Sequence, residues 1–229
     1  MDLLAALRWV GAPTPAVYDG LAARYDRMHR RWLRRAGDAL AALQGSLLAE
    51  LRPGLRVLDV GCGTGALAQW LVEIEPRIAL TLVDAAPAML ERAAVPGACR
   101  VRGDAGRLPF AEESFDVVLC AWVLETLRAP HAALDESLRV LAPGGLLCLC
   151  FCSLAENRSG RWRTLPIRIG VERLFRGRFL SPQFPAAVPK HSLRARIRHV
   201  RFRRLHSRTG LATFALCRSA PLRRPAANG

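Results

Sequence analysis

Several things this chain has little of narrow its class before any motif is read. Among 34 basic residues Lys190 is the only lysine, and after Leu154 acidic residues nearly vanish, leaving Glu156 and Glu172. No stretch approaches the roughly 18 to 20 consecutive apolar residues of a membrane span; the longest candidate, GGLLCLCFCSLA at 144–155, is a strand with its flanks. The opening MDLLAALRWV carries Asp2 and is interrupted by Arg8, so it does not read as a secretory leader, and a cytoplasmic protein is expected. The five histidines show no paired spacing and none is assigned a role. Seven cysteines is an odd number. Cys148, Cys150 and Cys152 stand two apart, a spacing that points them to one face of a strand and cannot wrap a tetrahedral metal. They read as small apolar residues of a reduced interior, and no metal is expected. No internal repeat is present.

Charge is distributed unevenly. Residues 1–150 hold 16 basic and 17 acidic side chains, whereas residues 151–229 hold 18 and 2, so the whole excess of +15 sits in the last third. One further basic cluster, RYDRMHRRWLRR at 24–35, sets six arginines against one aspartate. A GC-rich coding bias accounts for arginine over lysine. It does not account for the loss of acids, which leaves an anionic partner or surface open.

The 229 residues, 51% of them hydrophobic, fit one domain with appendages. Residues 15–50 carry Ala/Leu/Arg runs with apolar residues three and four apart, predicting helices that end at Arg52-Pro53-Gly54. From Arg56 strands and helices alternate: strands at 56–60, 79–85, 99–105, 115–122 and 146–153, with helices after the first, second and fourth, the last of them running up to Pro143-Gly144-Gly145. Strands buried on both faces in strict alternation with helices argue a doubly wound α/β domain with a parallel sheet. The arginines, apolar anchors and prolines of 165–189 suit a lid or surface-lying segment, and 193–205 with 210–218 suggest a β-ribbon closing one sheet edge. The expected divisions are a helical cap at 1–50, a ligand-binding core at 51–154, a basic insertion with closing strands at 155–220 and a disordered tail at 221–229.

In open α/β sheets the ligand lies beyond the carboxyl ends of the strands where strand order reverses, which directs attention to the loop Gly61-Cys62-Gly63-Thr64-Gly65. Gly61-x-Gly63-x-x-Ala66, with Asp84 23 residues after Gly61, also satisfies the dinucleotide pattern. Three features separate the readings. Asp59, two residues before the first glycine, suits a cation or amino group and repels a pyrophosphate. Gly65 makes the bend tighter than a phosphate cradle requires. Asp104, followed by Ala105, adds a carboxylate at the same sheet edge, suited to an exocyclic amine. Acids ending three successive strands describe a ligand with an amino group, a ribose diol and an aminopurine, and no phosphate.

VLDVGCGTG (57–65), LVDAAPAML (82–90), GDAGRLPF (103–110), FDVVLCAWVLETL (115–127) and RVLAPGGLL (139–147), in this order and spacing, resemble the class I S-adenosylmethionine-dependent methyltransferases. The resemblance covers about residues 55–150 and is closest to the type 11 group that includes ubiquinone and menaquinone biosynthesis enzymes. It implies a Rossmann-like, seven-stranded, mostly parallel sheet with helices on both faces and its last strand antiparallel, and S-adenosyl-L-methionine as methyl donor. By that analogy Asp59 and the loop Gly61, Cys62, Gly63, Gly65 border the methionine moiety, Asp84 holds the ribose hydroxyls, and Ala85 with Met89 line the adenine. Asp104 and Ala105 read the adenine amine, Cys120 lies near the methionine end, and Tyr25, in a pair of Tyr-Asp steps with Tyr18-Asp19, helps to close the site.

Methyl transfer from a sulfonium is an in-line displacement that alignment and desolvation can largely support. The sequence offers no convincing base, Glu125 reads as structural, and no catalytic residue is assigned. Cys120-Ala121-Trp122-Val123 is not the Asn/Asp-Pro-Pro-aromatic tetrapeptide of nucleobase N-methyltransferases, which argues against DNA. A small-molecule, lipid or quinone-type acceptor is expected, with the arginine-rich segments allowing a peripheral contact with an anionic inner membrane surface. RNA ranks second, because the basic third offers few aromatics for stacking. A non-catalytic cofactor-binding module is the alternative outside catalysis.

Overall fold

The computed structural model describes residues 14–127, 129–152, 201–206 and 212–219. The expected lid at 165–189 and the tail at 221–229 lie outside them. Helix α1 spans Thr14–Leu48. Where the sequence suggests several helices, one continuous helix of 35 residues forms, because Gly37 and Gly45 cost only about 1 kcal/mol each and no proline interrupts it after Pro15 at its start. At its far end Gly54, at φ 78°, turns the chain into the sheet.

Strand β1 (Arg56–Val60), helix α2 (Ala66–Ile74), β2 (Ala79–Asp84), α3 (Pro87–Arg92), β3 (Cys99–Arg102) and β4 (Phe115–Ala121) follow. A 3-10 turn (Leu124–Thr126), helix α4 (Pro130–Arg139), β5 (Leu141–Cys152), β6 (Arg201–His206) and β7 (Ala212–Arg218) complete the described elements. The seven strands form one sheet in the order β3-β2-β1-β4-β5-β7-β6. β7 runs antiparallel between β5 and β6, and the pairs β2 with β3, β1 with β2, β1 with β4 and β4 with β5 are parallel. This is the expected doubly wound sheet, with the ribbon closing its edge.

Period-two alternation sends the strands' side chains into two cores. Leu58, Val60, Val118, Cys120, Leu147 and Leu149 face α4, while Val57, Val117, Leu119, Leu146, Cys148 and Cys150 face α1 and α2. Ala39, Leu43 and Leu47 of α1 belong to the second core. Among the described residues no helix is long and apolar enough to cross a membrane, and no cluster of His, Cys, Asp and Glu could hold a metal ion.

Two local expectations need correction. β3 is the sheet's edge and ends at Arg102, with Cys99, Arg100 and Arg102 exposed, so it is not buried on both faces. Helix α4 stops at Arg139 instead of continuing to the Pro-Gly-Gly step. Arg139 pairs with Glu136 at 2.7 Å and donates to the carbonyls of Phe110 and Leu108, while Phe115 N–H donates to Val140 O, so strand pairing starts at Leu141. Gly145 permits this start, since a Cβ there would lie 2.9 Å from Asp116 O.

Candidate functional site

Strand order reverses between β1 and β4, and the loop leaving β1 lies at that switch point. Gly61, Gly63 and Gly65 all take positive φ, at 66°, 56° and 81°, a region costly for residues with a Cβ. Space adds a second constraint. A Cβ on Gly61 would meet Val123 Cγ2 at 2.3 Å, and one on Gly65 would meet Ala93 Cα at 3.2 Å. Gly61 and Cys62 N–H groups donate to Val83 O, so the bend is fastened to the end of β2.

The three strand-end acids occupy different environments. Asp84 accepts from Gly63 N–H at 2.8 Å through Oδ2 and from Ala86 N–H at 2.9 Å through Oδ1, spanning the loops after β1 and β2. Burial raises its carboxyl above the ordinary range despite these donors. Asp59 is buried, with Oδ2 lacking a hydrogen-bond partner among the described residues. Burial, and then the neighbouring Asp84, push its carboxyl up to about 7. Asp104 is exposed and accepts from Gly106 N–H at 2.8 Å, which orders the turn after β3. An orphaned buried oxygen beside a Cβ-free bend fits a cationic ligand better than a phosphate.

Helix α1 covers this edge. Tyr25 lies over Gly63, its Cε1 3.6 Å from where a Cβ would stand, and meets Tyr18 edge-on at 6.0 Å and His29 stacked at 5.5 Å. Burial first, then the carboxylates of Asp84, Glu125, Asp26 and Asp59, raise its phenol, so the hydroxyl stays a donor. Thr64 donates to Asp26 Oδ1 at 2.6 Å and Ala88 N–H to Asp19 Oδ1 at 2.9 Å, fastening α1 to the glycine loop and to α3. Thr14 reaches Thr126 O at 3.2 Å.

Together these elements enclose a cavity of about 890 Å³, near the top of the roughly 300 to 1,000 Å³ usual for ligand sites. Tyr25, Gly61, Gly63, Asp84, Ala85, Asp104 and Ala105 line it, seven of the sequence-derived candidates. The other five stand behind the wall. Met89 packs with Ala22 and Ala86 under Tyr18 and Tyr25; Cys120 is wholly buried; Gly65 closes the loop against Ala93 and Val95. Cys62 and Asp59 lie beneath the bend, and burial raises both the Cys62 and Cys120 thiols.

The cavity is also lined by Tyr18 and by residues that sequence reasoning gave no place in the site, Thr14, Pro15, Trp122, Val123, Thr126, Leu127, Ala129 and Ala132. Trp122 takes φ 62° directly after β4, with its N–H donating to Cys150 O at 2.6 Å. Such backbone strain gathers at ligand sites, but no composition signal announces it. Arg102 also lines the cavity, beside Gly103. Among the described residues the apolar part of the lining presents no carboxylate and no imidazole.

Residues 58–149 match the family model described as a methyltransferase domain. Demethylmenaquinone methyltransferase of Chlamydia pneumoniae is 34% identical over 143 residues, covering 57% of each chain. The protein of the same name from Renibacterium salmoninarum is 34% identical over 160 residues, 66% of this chain and 62% of that one. The chain thus spans less than two thirds of the length of these relatives. Among solved structures, magnesium protoporphyrin IX methyltransferase of Synechocystis PCC 6803 with bound SAH superposes with a TM-score of 0.59 at 16% identity, covering 80% of this chain and 83% of that one. A SAM-dependent methyltransferase of Thermotoga maritima gives 0.57 at 23% identity, covering 86% and 97%. These likenesses show the fold.

Proposed function

We propose that this chain, whose residues 58–149 match the methyltransferase-domain family model, is a class I S-adenosylmethionine-dependent methyltransferase of the type 11 group that transfers a methyl group to a small apolar acceptor of the quinol class. The observation that carries the reading is one cavity lined both by backbone and carboxylates and by apolar and aromatic side chains. S-adenosylmethionine, when bound, supplies an electrophilic methyl on a sulfonium.

The chain's residues would then do the following. Gly61 and Gly63 let the ligand approach the main chain, Asp84 offers lone pairs to a ribose diol, and a cationic group would draw buried Asp59 toward its ionised form. Asp104 and Ala105 stand where an aminopurine edge would end, and Met89 supports that wall from behind. Tyr25 keeps its proton and caps the glycine loop, excluding water. Trp122, Leu127 and Ala132 offer an apolar seat for a flat ring, and Thr14 and Thr126 are polar groups at its rim. Among the described residues the apolar lining holds no acid or imidazole able to take a proton from the acceptor. Positioning then supplies the catalysis. The curated relatives' names point to the same class of acceptor. A quinol carrying a lipid tail resides in a bilayer, which a peripheral contact through the arginine-rich segments would reach.

The test pairs calorimetry with product analysis. S-adenosylhomocysteine should bind the purified chain, and Asp84→Asn, which sets an amide donor against the Gly63 or Ala86 N–H, should weaken that binding by about ten- to a hundredfold. Methyl-labelled cofactor incubated with lysate should place label in the lipid and quinone fraction. Tighter binding of NAD, or label confined to RNA, would refute the proposal.

A further inference from the structure

The outer face of α1 has no part in the site. At about 100° per residue, Arg24, Arg27, Arg31 and Arg34 fall within about 80° of arc and over about 15 Å of helix, with Arg30 at the border. All five are exposed, and none makes an ion pair with a carboxylate among the described residues. Tyr18, Ala22, Tyr25 and His29 take the opposite arc and pack toward the cavity and α3. The nearby acids do not neutralise the row. Asp19 and Asp26 accept from Ala88 N–H and Thr64, and Asp38, on the same arc one turn past Arg34, sets a single negative charge at the row's far end. Among the residues between 16 and 34 whose side chains are described, the remaining exposed ones are Ala16, Gly20, Ala23 and Asp26.

We propose that this arginine row is a docking surface for an anionic phospholipid bilayer, on which α1 lies flat at headgroup level. A straight row of unpaired guanidinium groups on a rigid rod matches a plane of phosphates. The side chains described on this face include no stacking partner of the kind single-stranded RNA requires. The arginine contact is electrostatic and screened by salt. Docked this way, the helix lies between bilayer and cleft, with Thr14 and Pro15 of the cavity lining at its leading end. As a route for a lipid-borne acceptor this rests on the methyltransferase reading; the docking itself does not.

The experiment is co-sedimentation of the full chain with vesicles of phosphatidylglycerol in phosphatidylcholine, and of phosphatidylcholine alone, at low salt and at about 0.5 M salt. Each arginine near an anionic surface contributes about fivefold to partitioning, so R24Q/R27Q/R31Q/R34Q should lose on the order of a hundredfold or more. A control removing Arg194, Arg196, Arg198 and Arg208 should lose far less. Glutamine preserves helix propensity, and S-adenosylhomocysteine affinity measured alongside reports folding. Should the fourfold variant fail to fold, Arg24→Gln and Arg31→Gln alone, each expected to cut partitioning about fivefold, decide the same question. Equal partitioning of the helix variant and the parent, equal binding to neutral vesicles, or binding to RNA with none to vesicles would overturn the proposal. If the parent binds no adenosyl ligand, the enzymatic reading falls while the vesicle result still decides the docking.

Discussion

The two halves of α1 are one helix held by opposite means. Its second half sends Ala39, Leu43 and Leu47 into the core beneath the sheet, each almost wholly buried. Its first half buries only the smaller Val17 and Ala22, meets the cleft through two tyrosines and is fastened by Thr64 to Asp26, Ala88 N–H to Asp19 and Thr14 to Thr126 O. Apolar burial is undirected and hard to undo in water, whereas each polar fastening contributes only about 1 kcal/mol net. The helix is therefore anchored at one end and latched at the other.

The contrast can be broken most forcefully at its anchored end. Leu43→Ala should lower global stability by about 2 to 5 kcal/mol in denaturant titration, with adenosyl-ligand affinity changed little in the fraction that stays folded. A cost under about 1 kcal/mol would mean that the second half is not part of the core. Next in size is Gly61→Ala, which meets Val123 and a φ of 66° together. A loss of about 2 to 4 kcal/mol is expected, and adding Val123→Ala should recover the steric part while leaving the backbone strain. No recovery in the double variant would show that Val123 is not the obstacle.

A third effect is titratable. Asp59 is raised to about 7 by burial and by Asp84, so the folded chain holds that proton more firmly than the unfolded chain does. Its contribution to stability is complete below about pH 4, the unfolded value. It declines as pH rises through 7, by up to about 1.4 kcal/mol per unit between those limits. Asp59→Asn should flatten that part of the stability profile, and an unchanged slope would mean that the group does not titrate there. The smallest effect belongs to the latched end: Asp26→Ala should cost about 0.5 to 1.5 kcal/mol. Amide exchange should then quicken in residues 14–30 and stay as before in 39–48, a result that separates a latch from an anchor.

What the chain declares in its sequence is local. Three glycines at alternate positions announce a bend that no side chain can occupy, and acids closing β1 and β2 announce the charge around it, so Gly61, Gly63 and Asp84 are legible. Cys120 and Met89 are legible as neighbours of the site, but their side chains support its wall from behind. Trp122, Thr126 and Pro15 carry no such signal, because they meet only when α1 crosses the end of β4. Element boundaries fail for the same reason. Nothing in Pro143-Gly144-Gly145 reveals that Asp116 O stands opposite, and it is that approach which lets a strand begin at Leu141.

β7 lies between β5 and β6, so the strand Leu141–Cys152 gains its outer neighbour only from residues 212–218. During synthesis some sixty residues must leave the ribosome between the two, and throughout that interval a run of leucine, cysteine and phenylalanine has an open edge. Fragments cut after the family-matched segment would keep the cofactor loop yet expose that edge to their own copies. Aggregation of such fragments, rather than loss of the glycine bend, is what would make them inactive.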